Sequence, residues 1–212
     1  MTSKVYFILF ALLSVICAVS IDCPNIKILA YGLGMQKARP AIWTALQGDC
    51  CNSAGTTGVT CSGQRVTRIS WNAKGLNGTI NGTAIPLSLT YLDLILNTIT
   101  GTIPNNLPSG LTDLYLYANL MSGDLPSFPS ALQYLALGLA GYPGNHFTGA
   151  LRLNQPFQLY INNNWITDVL IQDSSQIDPS YCDLSNNPLL GNPGIAGLQC
   201  TKIGLYSANL FQ

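Results

Sequence analysis

The side chains that could hold a metal ion or move a proton are few in this sequence and poorly grouped. There is one histidine, His146, and all nine carboxylates are aspartates, because glutamate is absent. Cysteine is the densest reactive type. Beyond Cys17 in the apolar N-terminal run stand Cys23, Cys50, Cys51, Cys61, Cys182 and Cys200. No Cys-x-x-Cys pair occurs and His146 is distant in sequence from every cysteine, so no zinc site is expected. General acid–base catalysis needs a base beside a nucleophile, or paired carboxylates in a pocket. The best carboxylate pair is Asp93 with Asp113, at roughly 7–8 Å if they are diagonal neighbours on adjacent strands. That separation suits an inverting glycosidase, but an open sheet offers no water-excluding pocket. No Gly-x-Ser-x-Gly, phosphate-cradling glycine loop or His-Glu-x-x-His is present. The expectation is a protein without catalysis, cofactor or metal.

Charge and hydropathy narrow the partners. Charged residues make up 8% of the chain, with nine Lys plus Arg against nine Asp, so no basic stripe exists to neutralise phosphates and nucleic acid is not expected. A hydrophobic content of 48% and a mean hydropathy of +0.28 argue for a packed core. Lys4, the apolar run over 5–19 and the small residues around Ala18-Val19-Ser20 read as a secretory leader cut before Ile21. The run is short for a membrane span of about 20 residues. The mature chain is thus expected to be secreted, extracellular and without a membrane span. Its six cysteines then imply disulfides, with fifteen pairings open to six cysteines on sequence alone. Cys182 and Cys200 stand alone at the far end, enclosing the last turn of the chain's pattern, and are paired on that ground.

That pattern is Leu89, Leu92, Leu94, Asn97, Gly101, returning as Leu111, Leu114, Leu116, Asn119, Gly123. Read outward it gives copies starting at 66, 89, 111, 132, 156 and 179, a period near 22 residues. The spacing identifies a leucine-rich repeat, an α/β solenoid of about six coils in a right-handed superhelix with a parallel concave sheet. Period two over Leu-x-Leu points the leucines inward and the intervening residues outward. The ninth-place asparagines Asn97, Asn119, Asn145, Asn164 and Asn187 are read as scaffold, bonding turn backbone that burial would otherwise leave unpaired. Repeat one has Lys74 there. Between Leu137 and Asn145 repeat four carries a five-residue insertion, which brings Tyr142 and His146 to the strand's carboxyl end and is the second place to look for a site.

Residues 49–69, DCCNSAGTTGVTCSGQRVTRI, resemble the N-terminal cap of plant-type leucine-rich repeat proteins, in which a cysteine pair precedes GVTC and a first repeat opening RVT. The turns ITGTIP and MSGDLP carry the same plant-type signature. The tryptophan that such caps place between the cysteine pair and GVTC is absent. The resemblance implies Cys23 with Cys50 and Cys51 with Cys61, so both ends are stapled caps. It implies kinship with receptor-kinase ectodomains and polygalacturonase-inhibiting proteins. These bind peptides, steroids, pectic glycans or secreted enzymes.

Six of the ten tyrosines fall at outward strand places. An aromatic surface with interleaved Asp suits protein or glycan recognition. The candidate binding residues are Tyr91, Asp93, Asp113, Tyr115, Tyr117, Tyr134 and Tyr160. Asn77 and Asn81, each in an Asn-Gly-Thr sequon, are candidate glycosylation sites. The divisions are 1–20 leader, 21–65 cysteine-containing cap, 66–190 repeats and 191–212 C-terminal cap and tail. The functional expectation is a secreted module binding a protein, peptide or glycan. The alternatives are a cell-surface receptor ectodomain or fragment of one, or an inhibitor of a secreted cell-wall hydrolase.

Overall fold

The computed structural model describes residues 20–51, 55–189, 198 and 200. The expected leader lies outside them except for Ser20, and the expected C-terminal cap and tail except for Leu198 and Cys200.

The chain opens with helices α1 (Cys23–Gly32), α2 (Met35–Ala38) and α3 (Pro40–Leu46). Pro40 starts α3 as its position predicts, since a proline at the first helical position gives up an amide that has no partner there. Helix α1 is an addition to the sequence reading. Pro24 stands in its first turn, and Cys23, Ile26, Leu29 and Ala30 form its buried face. Gly34, at φ 75°, takes the left-handed turn that separates α1 from α2.

Ten strands follow: β1 (Val59–Ser62), β2 (Arg65–Ser70), β3 (Tyr91–Asp93), β4 (Asp113–Tyr115), β5 (Ser122–Asp124), β6 (Tyr134–Ala136), β7 (His146–Leu153), β8 (Gln158–Tyr160), β9 (Trp165–Ile171) and β10 (Cys182–Asp183). Strands β2, β3, β4, β6, β8 and β10 lie side by side and parallel, one from each of the six copies, so the chain winds through five full turns. Strand β1 pairs antiparallel with β2 and covers the first edge. A second parallel sheet, β5-β7-β9, forms on the return path of coils three to five. Among the described residues α-helix occurs only in the cap. The coils return through extended segments and short 3-10 turns at Gly82–Ala84 and Pro179–Tyr181, consistent with their prolines, which remove helix hydrogen bonds.

The register sets one inward residue of each coil against the next: Ile69, Leu92, Leu114, Leu135, Leu159 and Cys182. All are buried, together with Leu94, Leu116, Leu137, Ile161 and Leu184. The three bridges Cys23–Cys50, Cys51–Cys61 and Cys182–Cys200 are formed. Under the GVTC segment the packing ring comes from the first repeat. Trp71 is fully buried and its indole N–H donates to the Thr57 carbonyl at 2.7 Å. Gly58 is required beside it, because a Cβ there would lie 2.3 Å from the Ser70 carbonyl oxygen.

Each ladder asparagine ties two coils. The Asn97 amide oxygen accepts from the Lys74 and Leu76 N–H groups, while its nitrogen donates to the Trp71 and Leu94 carbonyls. Asn119, Asn145, Asn164 and Asn187 repeat the arrangement. The residue before the ninth place, which is Lys74 in coil one and asparagine in the others, is left-handed in five coils: Ala73, Leu96, Ala118, Asn163 and Asn186 have φ between 50° and 58°. A left-handed conformation costs a residue with a Cβ roughly 1–2 kcal/mol, less for Asn. Leu96 occupies this position while 39% exposed. Leu96→Asn is therefore expected to stabilise the fold by about 1 kcal/mol, read as a higher urea midpoint; a lower midpoint would show that the leucine side chain packs usefully.

Candidate functional site: a tyrosine and aspartate face

Outward residues of the parallel sheet fall into rows across the coils. One row runs Arg68, Tyr91, Asp113, Tyr134, Gln158, and the next Ser70, Asp93, Tyr115, Ala136, Tyr160, Asp183. Strands β3 and β4 therefore form a crossed square in which Tyr91 faces Asp113 and Asp93 faces Tyr115. The two carboxylates are diagonal, as the sequence predicts.

The aspartates differ in environment. Asp93 is buried and accepts three donors, the Ser70 hydroxyl at 3.1 Å, the Asn72 amide at 2.9 Å and the Ile95 N–H at 3.2 Å. Asp113 is half-buried and accepts from the Thr112 hydroxyl at 2.6 Å and the Tyr115 hydroxyl at 3.3 Å. None of these contacts sets either carboxylate beside a histidine or cysteine side chain.

The predicted tyrosines group into contacts that the rows alone do not specify. Tyr91 and Tyr115 pack with ring centroids 5.4 Å apart, and the Arg68 guanidinium carbon lies 3.3 Å from the Tyr91 centroid. Tyr117 packs on Tyr142 at 5.5 Å, and Tyr134 on Phe157 at 5.8 Å. Tyr160 is half-buried beside Asp183 in its row. Ala136 sets a small residue between Tyr115 and Tyr160. The face thus recruits Arg68, Ser70, Asn72 and Phe157 beyond the residues named from sequence. Arg68, Ser70 and Asn72 were readable as outward places; Phe157 carried no periodic signal.

The insertion in repeat four divides its two candidate residues. Tyr142 folds back onto Tyr117, and its carbonyl accepts from the Asn163 amide at 3.3 Å. Gly138 and Gly144 permit this path, since a Cβ at either would lie within 2 Å of the Asn162 or Asn163 carbonyl oxygen. His146 instead begins β7, opposite Ser122 in the second sheet. Its imidazole therefore does not join Tyr142 in a second site. Beneath this coil Asn162 is buried and its Oδ1 has no hydrogen-bond donor. The sequons lie elsewhere. Asn77 is exposed beside the cap, its Oδ1 against Gly34, and exposed Asn81 accepts from both the N–H and the hydroxyl of Thr83.

Among the described residues, Cys23, Asp49, Cys50 and Cys51 bring potential metal-ligand atoms together. Their sulfurs are tied in disulfides and so lack the thiolate form that binds metal. None of the described helices is long and apolar enough to cross a membrane.

Four phenols on the face are held above their ordinary pKa. Burial is the largest cause in each. The next is Asp93 for Tyr91, Asp113 for Tyr115, Tyr142 for Tyr117 and Tyr181 for Tyr160. A phenol raised in the folded state loses its proton first in the unfolded chain. The stability it contributes is intact below the unfolded value of about 10 and is lost as pH rises through the folded pKa. The urea midpoint is expected to hold up to about pH 9 and to fall above about pH 10, less steeply in Tyr115→Phe. Wild type and variant falling in parallel would remove the phenol from the account.

No protein-family model matches the chain. In sequence it is 37% identical over 89 residues to the LRR receptor-like serine/threonine-protein kinase GSO2 of Arabidopsis thaliana, covering 40% of this chain and 7% of that protein. It therefore spans a small part of the length of that relative. In structure it is similar to the LRR ectodomain of the receptor kinase SOBIR1 from Arabidopsis thaliana. The TM-score is 0.61 at 24% identity, over 78% of this chain and 92% of the other. The BIR3–SERK2 complex from the same plant gives a TM-score of 0.55 at 20% identity, over 86% of this chain and 99% of the matched one.

Proposed function

We propose that this plant-type leucine-rich repeat chain, similar to the ectodomains of receptor kinases, is an extracellular, non-catalytic recognition module that binds its partner on the tyrosine face of the parallel sheet. The observation that carries the reading is the crossed square of Tyr91, Asp93, Asp113 and Tyr115, extended by Tyr117, Tyr134 and Tyr160. It offers aromatic surface and hydrogen-bonding groups on a scaffold of fixed spacing. Such a mixture suits the core of a recognition surface, where Tyr contributes area at small entropic cost. The BIR3–SERK2 structure is itself a complex, so one protein of similar fold engages another protein. Glycans on Asn77 and Asn81 would follow the first strand, in the turn that packs on the cap, and would leave the face uncovered.

The test is a pull-down from an extracellular extract with oxidised protein, beside a Tyr115→Ala/Tyr134→Ala double variant. Truncating central aromatic anchors of an interface costs about 2 kcal/mol or more, equivalent to roughly thirtyfold in affinity. A folded double variant is expected to lose the captured partner. Full retention by a folded variant would move the site off this face.

A further inference from the structure

The charge at the tyrosine face is one-sided. Among the outward strand places described above, the carboxylates are half-buried Asp113 and the buried Asp93 and Asp183, and the cation is Arg68. Arg68 is already engaged with the Tyr91 ring. Negative potential reaches most of the face: Asp93 and Asp113 act on Tyr91, Asp113 on Tyr115, Asp93 on Tyr117, and Asp183 with Asp178 on Tyr160. The phenols therefore stay neutral and present their π surfaces beside carboxylates.

Unused hydrogen-bonding capacity has the same sign. Asp93 accepts three donors and is buried, whereas half-buried Asp113 receives two O–H donors and, with about four lone-pair sites, keeps the capacity to accept more. Aromatic rings beside carboxylates are a surface for cations, through the ring quadrupole and charge-assisted hydrogen bonds. Arg68 over Tyr91 is an internal instance, showing a guanidinium seated at one end of this face.

We propose that the face selects a cationic peptide segment, with arginine or lysine side chains laid on the Tyr115 and Tyr134 rings and their N–H groups donating to Asp113. The proposal rests on the binding function above and narrows it, because like charge disfavours acidic peptides and acidic polysaccharides. The chain's formal net charge is zero, so general attraction does not supply the preference; the face must.

The experiment measures fluorescence anisotropy with the full oxidised chain and two labelled decapeptides, alternating Arg-Gly and alternating Glu-Gly. A polygalacturonate arm and a neutral cello-oligosaccharide arm compete against the first peptide. The Arg-Gly peptide is expected to bind at least about tenfold more tightly than its Glu-Gly twin at low salt, and to weaken as salt screens the carboxylates. Asp113→Asn, with its fold checked by circular dichroism, is expected to weaken it at least about fivefold. Absent Arg-Gly binding, equal binding of the two peptides, or indifference to Asp113→Asn would overturn the proposal. Capture of either polysaccharide, lost in the Tyr115→Ala/Tyr134→Ala variant, would leave the binding face standing and refute only its preference for cations.

Discussion

Asn119→Leu is expected to destabilise the fold by about 3 kcal/mol, through the buried hydrogen bonds that it removes. Leucine has as many side-chain heavy atoms as asparagine but can make none of its hydrogen bonds. The Asn119 oxygen accepts from the Ile99 N–H at 3.0 Å, and its nitrogen donates to the Leu94 and Leu116 carbonyls, each at 2.9 Å. Asn119 is 2% exposed, so water does not substitute. Leaving a buried donor or acceptor unpaired costs about 1–3 kcal/mol; the Ile99 N–H loses its acceptor outright, while the Leu94 and Leu116 carbonyls each lose one of two donors and keep Asn97 and Asn145. Since small domains have only about 5–15 kcal/mol in total, urea unfolding followed by far-ultraviolet circular dichroism should show a large midpoint drop or loss of cooperativity. A change below about 1 kcal/mol would mean that the turn satisfies itself without the asparagine.

Leu114→Ala is the second large effect, about 2–5 kcal/mol. Leu114 lies in register between Leu92 and Leu135 and is 1% exposed, so shortening it leaves a void between coils three and two on one side and four on the other. Strands hydrogen-bonded at fixed spacing cannot close around that void. The same urea measurement reads it. A loss under about 1 kcal/mol would require the coils to collapse together, against the ladder that holds them apart. The two substitutions lie on neighbouring parts of one coil, so their effects are not expected to add.

Sequence made the inward side of this molecule readable because the inward side is periodic. Leucines two apart must share a face, and copies 21–24 residues apart must stack. The ladder asparagines repeat with them, and their bonds to neighbouring backbone follow from burying an amide. The cap helix α1 was harder to see. It has no side-chain cap and lies outside the repeat, so its signal was only the Ile26, Leu29, Ala30 spacing. Strands β7 and β9, eight and seven residues long, lie in coils four and five, which lack the Gly-x-Ile-Pro turn of coil two, so that signature did not announce them. The union of Tyr142 with Tyr117 depends on which way an aperiodic insertion folds, and that is decided by backbone clearance at Gly138 and Gly144. Arg68 was visible as an outward residue. Its seat over Tyr91 was not, since a guanidinium on a flexible stem has many rotamers and the neighbouring ring selects one.

The second sheet has a mechanical consequence. Where helices line the back of a coil, adjacent coils are pushed about 8–10 Å apart behind and only about 4.8 Å in front, which wedges a stack into an arc. Here β5, β7 and β9 repeat along the return path by the same parallel pairing that joins β4, β6 and β8, so both lines of coils three to five advance at one pitch of about 4.8 Å. Equal pitch leaves no wedge in the plane joining the two lines. This stretch of the molecule is a straight ruler rather than a claw, and a partner on the proposed face would lie along its graduations rather than be encircled.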